Sequence, residues 1–338
     1  MEWLLGKDLD QLTQIALALG LPRYTGKQLA DWLYRKRVKS IGEISNLSKT
    51  GRERLGAHFE IGGFAPAQVQ QSVDGTKKYL FPTVGGFYIE SVIIPEKVRA
   101  TLCVSSQAGC RMGCRFCMTA RQGLHAHLTA GEIISQFQNI EETTGLTNAV
   151  YMGMGEPMDN LDEVLKSLQI LTSDWGWGWS PRRITVSTIG LLPQLKRFLE
   201  ESDCHLAISL HHPIDRERQA LVPMQKIHPL AEILNLIRQY DFSGQRRVSF
   251  EYIMFKGVND SLFHATTLSR LLKGLECRVN LIRFHAIPDS ALLPSSLESI
   301  ALFQKKLSES GVVVTLRASR GEDILAACGL LSTRHGAL

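Results

Sequence analysis

From residue 100 onward, β-like runs alternate with amphipathic helical stretches, and this alternation restricts the fold more than any other feature of the 338-residue chain. TLCVSSQ is followed by TAGEIISQFQNIEETT, NAVYMGMG by LDEVLKSLQILT, and RRITVST by LLPQLKRFLEE. CHLAISL, RVSFEYIMF and RVNLIRF continue the series, with helical patterns at HPLAEILNLIRQY, DSLFHATTLSRLLKGL and SLESIALFQKKLSES before a last strand, VVVTLRAS. Parallel strands need crossovers long enough to hold a helix, and those crossovers are right-handed. The pattern therefore predicts an α/β fold, either an open sheet or a full or partial barrel.

The first 99 residues follow other periods. In 1–60, LDQLTQIALALG ends at Gly20, and GKQLADWLYRKR places Leu29, Trp32 and Leu33 at i, i+3 and i+4. We read this segment as a small helical accessory domain. In 61–99, YLFPT and FYIESVIIP flank Gly85-Gly86, which is expected of a β-hairpin connector. The core then occupies 100–318, and 319–338 form a C-terminal tail.

Apolar residues make up 44% of the chain, enough for a substantial core and too many for a disordered one. No run of ~18 uncharged apolar residues occurs, and MEWLLGKDLDQ lacks the layout of a secretory signal, so a cytoplasmic protein without a membrane partner is expected. Seven cysteines are an odd number, which argues against a disulfide framework and for thiols used as ligands or in redox chemistry. Cys204 and Cys277, in or beside apolar runs, read as small buried hydrophobes. The net charge of +5 does not by itself nominate a nucleic-acid binder. Arg35, Lys36, Arg37, Lys39, Lys49, Arg52 and Arg54 form a basic segment that suits either phosphates or an ordinary solvated helix face.

In barrels of this kind, chemistry gathers at the C-terminal ends of the strands. There the chain places Cys110 to Cys117, Gly153-Met-Gly-Glu156-Pro157, Ser187-Thr188, Ser209-Leu210-His211 and Asn280. Cys110, Cys114 and Cys117 have the spacing C-x3-C-x2-C. A structural zinc site closes with four ligands, and no His or Cys in standard spacing completes one, although Cys103 or a distant residue stays open as a fourth. Three thiolates on a cubane iron–sulfur cluster would leave one iron free for an outside ligand, which is the reading this loop favours. Taken singly, GMGEP reads as a turn and the serines as strand-end caps.

With Phe116 before its last cysteine, the loop resembles the signature of the radical S-adenosylmethionine (SAM) superfamily. The likeness continues through Cys103-Val-Ser-Ser-Gln, Gly153-Met-Gly-Glu156-Pro157, Ser187-Thr188, Leu206-Ala-Ile-Ser209-Leu-His211, Val279-Asn280-Leu and Ala326-Ala-Cys328-Gly329. Together these resemble the radical SAM RNA adenine methyltransferases, the RlmN and Cfr families, with RlmN the nearer, and the likeness spans nearly the whole chain. The resemblance implies a partial (β/α)6 TIM-like radical SAM barrel and a [4Fe-4S] cluster on Cys110, Cys114 and Cys117, its open iron bound by SAM, two molecules of which are used per turnover. It implies methylation of C2 of adenosine in 23S rRNA and, next to the anticodon, in tRNA. An electron donor such as flavodoxin or ferredoxin and a monomeric enzyme are also implied.

Residue by residue, Cys328 matches the thiol that carries the methyl group as S-methylcysteine, and Cys103 the resolving thiol that forms a disulfide bond with it to release the product. Gly155 and Glu156 match the segment that meets the SAM amino group, and Ser187, Ser209, Leu210, His211 and Asn280 match its other contacts. Glu90 matches a carboxylate near the target base, a proton acceptor in competition with Cys103.

Three other features bear on these expectations. The run SRGEDILAAC, with Arg317 and Arg320, reads as a mobile polar loop that delivers Cys328. Trp175, Trp177 and Trp179 suit RNA stacking or, as the favoured reading, local packing. Two alternatives share some of the motifs: Cfr-type methylation at C8, and a zinc-stabilised RNA-binding factor without catalysis.

Overall fold

The computed structural model describes residues 1–244 and 246–333. The N-terminal module comprises β1 (Glu2–Trp3), α1 (Leu9–Ala18), α2 (Thr25–Ala30), α3 (Lys49–Gly56) and β2 (Phe59–Glu60), with β1 and β2 paired in parallel. Asp8 starts α1 by accepting from the Gln11 N–H while the Gln11 side chain accepts from the Asp8 N–H, a reciprocal cap that satisfies two orphan donors. Leu12 and Ala16 then fall on the buried face.

The module is fastened to the rest of the chain at close quarters. Gly6, at φ +91°, lies so near Gly131 that a Cβ on Gly6 would stand 2.2 Å from the Gly131 nitrogen, so glycine is required there. The basic segment proves to be largely structural. Arg35 donates to the Asp174 carbonyl, Lys39 to the Gln138 carbonyl, Arg52 to the carbonyls of Ile44 and Leu47, and Arg54 to that of Leu19. Arg37 stacks 4.1 Å over the Trp177 ring. The tryptophan loop packs as favoured, with Trp177 and Trp179 edge-to-face at 5.5 Å and both against Phe137.

Next come β3 (Gln68–Gln71), β4 (Lys77–Pro82) and β5 (Tyr88–Pro95), an antiparallel set in which the expected hairpin joins β4 to β5. The core follows: β6 (Ala100–Cys103), β7 (Gln107–Cys110), α4 (Met118–Arg121), β8 (Gly123–His127), α5 (Ala130–Gln138), β9 (Asn148–Tyr151), α6 (Leu161–Thr172), β10 (Ile184–Thr188) and α7 (Leu192–Glu201). It closes with β11 (His205–Ser209), α8 (Asp215–Leu221), α9 (Leu230–Ile237), β12 (Val248–Met254), α10 (Leu262–Leu271), β13 (Cys277–Arg283), α11 (Leu297–Glu309) and β14 (Val313–Arg317). Helix α5 is buried along its whole length because the N-terminal module covers its outer side, where the Gln138 side chain donates to the Leu33 carbonyl at 3.0 Å.

One sheet runs in the order β14-β13-β12-β11-β10-β9-β6-β5-β4-β3. Strands β6 and β9 to β14 are parallel, giving six β/α units and a final strand, while β5, β4 and β3 extend the same sheet antiparallel. The hairpin is thus part of the core sheet as well as a connector. Five strand spacings separate β14 from β9, ~24 Å if the sheet were flat. Arg317 on β14 nevertheless donates to the Met152 sulfur just beyond β9 at 3.4 Å, so the sheet curls into a partial barrel. Strands β7 and β8, which the sequence pattern does not signal, form a separate two-stranded ribbon that carries the cysteine loop.

Candidate active site

A cavity of about 970 Å³ occupies the inside of the curl and is lined by Cys103, Cys110, Cys114, Cys117, Gly155, Glu156, Ser187, Ser209, His211, Asn280 and Cys328. The strands position these groups by their two-residue period. On β12 Ser249, Glu251 and Ile253 share the inner face with Arg278, Asn280 and Ile282 on β13. Branched apolar side chains fill the usual barrel. Here short and polar residues leave the interior open.

Cys110, at the end of β7, begins the loop, and Cys117 precedes α4. Burial pushes the Cys110 thiol up to about 12 and raises those of Cys114 and Cys117; Cys117 adds to the rise at Cys110, Cys117 and Cys110 to that at Cys114, and Cys328 to that at Cys117. Three thiols within mutual electrostatic reach, carried by one loop and facing one cavity, are a soft donor set whose charges a metal centre would neutralise.

Gly155 is held at φ +101° against Gln107, where a Cβ would come within 2.6 Å of the Gln107 Cβ. That approach lets the side-chain amide oxygen of Gln107 accept from the Glu156 N–H at 2.8 Å. The Glu156 carboxylate is buried and accepts from the N–H groups of Met158 at 3.1 Å and Ile189 at 3.0 Å. Desolvation raises it to about 7, against the pull of Thr188 and those N–H groups. These three donors leave acceptor capacity on a carboxylate with about four lone-pair sites.

His211 has φ +55°, accepts from the Ile253 N–H through Nδ1 at 3.2 Å, and stands edge-to-face on Phe116 at 4.7 Å. Burial lowers its pKa to about 3, so the ring is neutral with its proton on Nε2. Leu210 is set back from the cavity, its N–H given to the Glu251 carbonyl and its own carbonyl to Arg218 at 2.9 Å. Asn280 donates to Glu251 at 2.7 Å and accepts from Thr315 at 2.6 Å.

Cys103 ends β6 with its thiol pushed up to about 12 by burial and by Cys328, while Arg317 opposes the rise. Cys328 is exposed and lies within electrostatic reach of Cys103, Cys117 and Arg317. Its loop is fastened on both sides. Upstream, Gly321 donates to Asp74 and Asp323 accepts from Ser72. Downstream, the carbonyls of Gly329 and Leu331 accept from Met118 and Thr119 of α4, and Ser332 donates to Glu90. Glu90 itself is buried beside β4, with Lys78 at 2.9 Å, and it does not line the cavity.

Two segments match known family models: the Radical SAM superfamily over residues 104–267, and the ribosomal RNA large subunit methyltransferase N-terminal domain over 3–61. The chain is 56% identical to the probable dual-specificity RNA methyltransferase RlmN of Phocaeicola vulgatus over 98% of its own length and 95% of that protein. It is likewise 56% identical to the protein of that name from Parabacteroides distasonis, over 98% of this chain and 96% of the other. The chain belongs to the RlmN family of radical SAM RNA methyltransferases. A crystal structure of a radical SAM methyltransferase from Sphaerobacter thermophilus superposes with a TM-score of 0.92 at 40% identity, covering 98% of this chain and 99% of that one.

Membership brings a [4Fe-4S] cluster and SAM as cofactors. The RlmN-family chain has what they require: three adjacent thiols, a buried carboxylate with acceptor capacity to spare, and an unfilled polar interior beside both. One expectation is corrected. Cys103 and Cys328 are free thiols and no disulfide joins them; one is buried at a strand end and the other exposed on a loop held by its own hydrogen bonds.

Several residues of the site escaped the sequence reading. Glu251 is buried mid-strand and gathers Ser249, Asn280 and Arg317 at 3.1, 2.7 and 3.3 Å. Arg218, fully buried, donates to the carbonyls of Ile189, Ser209 and Leu210 and so ties the ends of β10 and β11 together. The legible signal for Glu251 was a lone carboxylate in the apolar run VSFEYIM.

Proposed function

We propose that this enzyme methylates C2 of adenosine in 23S rRNA and, next to the anticodon, in tRNA, by way of a methyl group carried on Cys328. The observation that carries the reading is the convergence of Cys328, Cys103 and the three loop thiols on one cavity. Cys110, Cys114 and Cys117 would hold the cluster. Glu156 and the Gly155 turn would receive the amino group of SAM, with Ser187, Ser209, His211 and Asn280 around the remainder and Leu210 shaping the wall behind. When bound, the cluster and SAM together supply a carbon-centred radical able to take hydrogen from a methyl group.

The chain's residues handle the rest. An adenine ring carbon is too poor a nucleophile to take a methyl group from a sulfonium, whereas a thiolate takes it readily. Cys328 is exposed for that reaction and lies within electrostatic reach of the Arg317 guanidinium. The base must leave its stack to reach this loop. Cys103, which lines the cavity, would then accept the proton from the base carbon. Glu90 competes for the proton role, but its oxygens are engaged by Lys78 and Ser332, which supports a positioning role instead.

The protein would act in the cytoplasm as a monomer reduced by a flavodoxin or ferredoxin. Among the described residues no helix is long and apolar enough to cross a membrane. The test is anaerobic: wild-type protein should bind four irons per chain, and Cys328→Ala should bind them equally and transfer no methyl group. Mass spectrometry of digested rRNA and tRNA should show 2-methyladenosine; 8-methyladenosine would assign the C8 reaction, and one zinc with no iron would abolish both readings.

A further inference from the structure

The cavity has a second pole. Glu156, Ser209 and His211 mark its upper end, at the C-terminal ends of the strands. At the opposite, N-terminal ends, Arg182 precedes β10, His205 opens β11, Arg247 precedes β12 and Arg278 lies at the start of β13, all lining the same cavity. Arg99, before β6, joins them at the rim. Along β12 the two poles stand six residues apart, ~20 Å, too far for one SAM-sized ligand to occupy both.

These cations lack the partners that usually neutralise a guanidinium. Among the described residues Arg182, Arg247 and Arg278 form no ion pair, whereas neighbouring Arg246 pairs with Asp203 at 3.7 Å. Of the carboxylates facing the cavity, Glu251 is engaged by Ser249, Asn280 and Arg317 and Glu156 by backbone N–H groups, which leaves Glu96 at the rim. The His205 ring is a local probe of the field. Its Nδ1 accepts from the Arg247 N–H at 3.1 Å, and burial together with four guanidiniums lowers its pKa. Arg182 and Arg247 are exposed and Arg278 half-buried, so the patch is open to a ligand. Across four neighbouring strands the arc spans ~14 Å. Planar guanidiniums gathered in a cleft of one sign suit phosphate oxygens.

We propose that this lower pole is a phosphate-binding site, separate from the SAM end, built on Arg182, Arg247 and Arg278 with His205 at its centre. The phosphates come either from the RNA backbone or from a free polyphosphate; the RNA source rests on the methyltransferase reading and the free source does not. The basic N-terminal segment, whose cations are mostly turned to carbonyls and a ring within the protein, makes a second cationic surface useful to an RNA enzyme.

The test uses the reconstituted enzyme and the triple variant Arg182→Gln/Arg247→Gln/Arg278→Gln, with circular dichroism and RNA-free conversion of SAM to 5'-deoxyadenosine as controls for fold and SAM site. Tripolyphosphate binding by calorimetry should be lost in the variant. If RNA supplies the phosphates, tripolyphosphate should also compete with a tRNA anticodon stem-loop, and the slope of log K against log salt should fall by about 0.7 to 0.9 for each phosphate the variant no longer neutralises. Loss of tripolyphosphate binding with an unchanged RNA slope assigns the free source. Wild type and variant indistinguishable with both probes would overturn the site, while intact RNA methylation by wild type in the same preparation would leave the methyltransferase reading standing. Single Arg182→Gln and Arg278→Gln variants serve if the triple variant fails to fold.

Discussion

Ser332 donates its backbone N–H to Glu90 at 2.9 Å, so a buried carboxylate on a hairpin strand anchors the tail that carries Cys328. The same carboxylate faces the Lys78 ammonium, and both side chains are nearly buried. Replacing Glu90 by Ala would therefore do two things: release the tail and strand a buried cation, at a cost of about 3 to 5 kcal/mol. A lower urea midpoint is expected together with faster proteolytic cleavage after residue 325. Unchanged cleavage in a folded Glu90→Gln protein, which keeps an acceptor of the same shape, would be consistent with anchoring by hydrogen bond alone. Slow cleavage in Glu90→Ala would show that the anchor does not hold.

Helix α4, immediately after Cys117, holds the other side of that tail through Thr119, whose hydroxyl donates to the Leu331 carbonyl at 2.7 Å. Thr119→Val retains the shape and removes the donor. The buried carbonyl then loses a partner, costing about 1 to 3 kcal/mol. The variant should bind iron as the wild type does but alkylate faster at Cys328, as read by mass mapping of a timed thiol label. Equal labelling rates would refute the coupling of tail and cluster loop.

The alternating core is legible in the sequence because buried parallel strands announce themselves as apolar runs, and the cysteine loop because spacing is a local property. Strands β7 and β8 are not legible there: QAGC and GLHAH are too short and too polar to stand out, and they exist through pairing with each other. Nor is the use made of Arg35, Arg37 and Arg52 legible, since a charged run does not tell which cations meet carbonyls or a ring across the fold. Arg218 was invisible for the same reason. Its partners, Ile189, Ser209 and Leu210, lie at the ends of two strands far apart in the sequence and are brought together by the parallel pairing of β10 with β11.

Arg218→Lys tests that knot. A lysine ammonium cannot reproduce the planar fork that serves three carbonyls and Gln225 at once. Each buried acceptor left empty costs about 1 to 3 kcal/mol. The variant should melt well below wild type and bind SAM weakly, because Ser209 and His211 flank the displaced turn. A melting temperature within a degree of wild type would show that the ends of β10 and β11 hold without it.

Glu156 sets a pH dependence. Its folded pKa of about 7 stands above the ordinary carboxylate value, so the stability it contributes is complete below about 4.5 and is lost as pH rises through 7. In the protein without cofactors, Glu156→Gln should narrow the fall in stability between about pH 4.5 and 7 by up to about 3 kcal/mol, the energy of a shift of that size. The same carboxylate must ionise to receive an ammonium, so SAM binding below pH 7 should release a proton, seen as a buffer-dependent heat in calorimetry. The Gln variant should lose that buffer dependence. Identical pH profiles for the two proteins would place the titrating group elsewhere.

Arg317 connects the two thiols to Glu251, and the sign of its influence can be read from reactivity. Burial holds the Cys103 thiol near 12, and the guanidinium is the charge that opposes this. Part of that charge is taken up by Glu251 at 3.3 Å. Neutralising the carboxylate with Glu251→Gln leaves the guanidinium less compensated, so the Cys103 thiolate should become easier to form and alkylation at a fixed alkaline pH should quicken. Arg317→Met should slow it, because the opposing charge is gone while burial remains. Measured in a Cys328→Ser background, so that the exposed thiol does not consume the label, the two variants should move the Cys103 rate in opposite directions. If both move it the same way, packing rather than charge governs this thiol, and Arg317 would lose its role in activating Cys103.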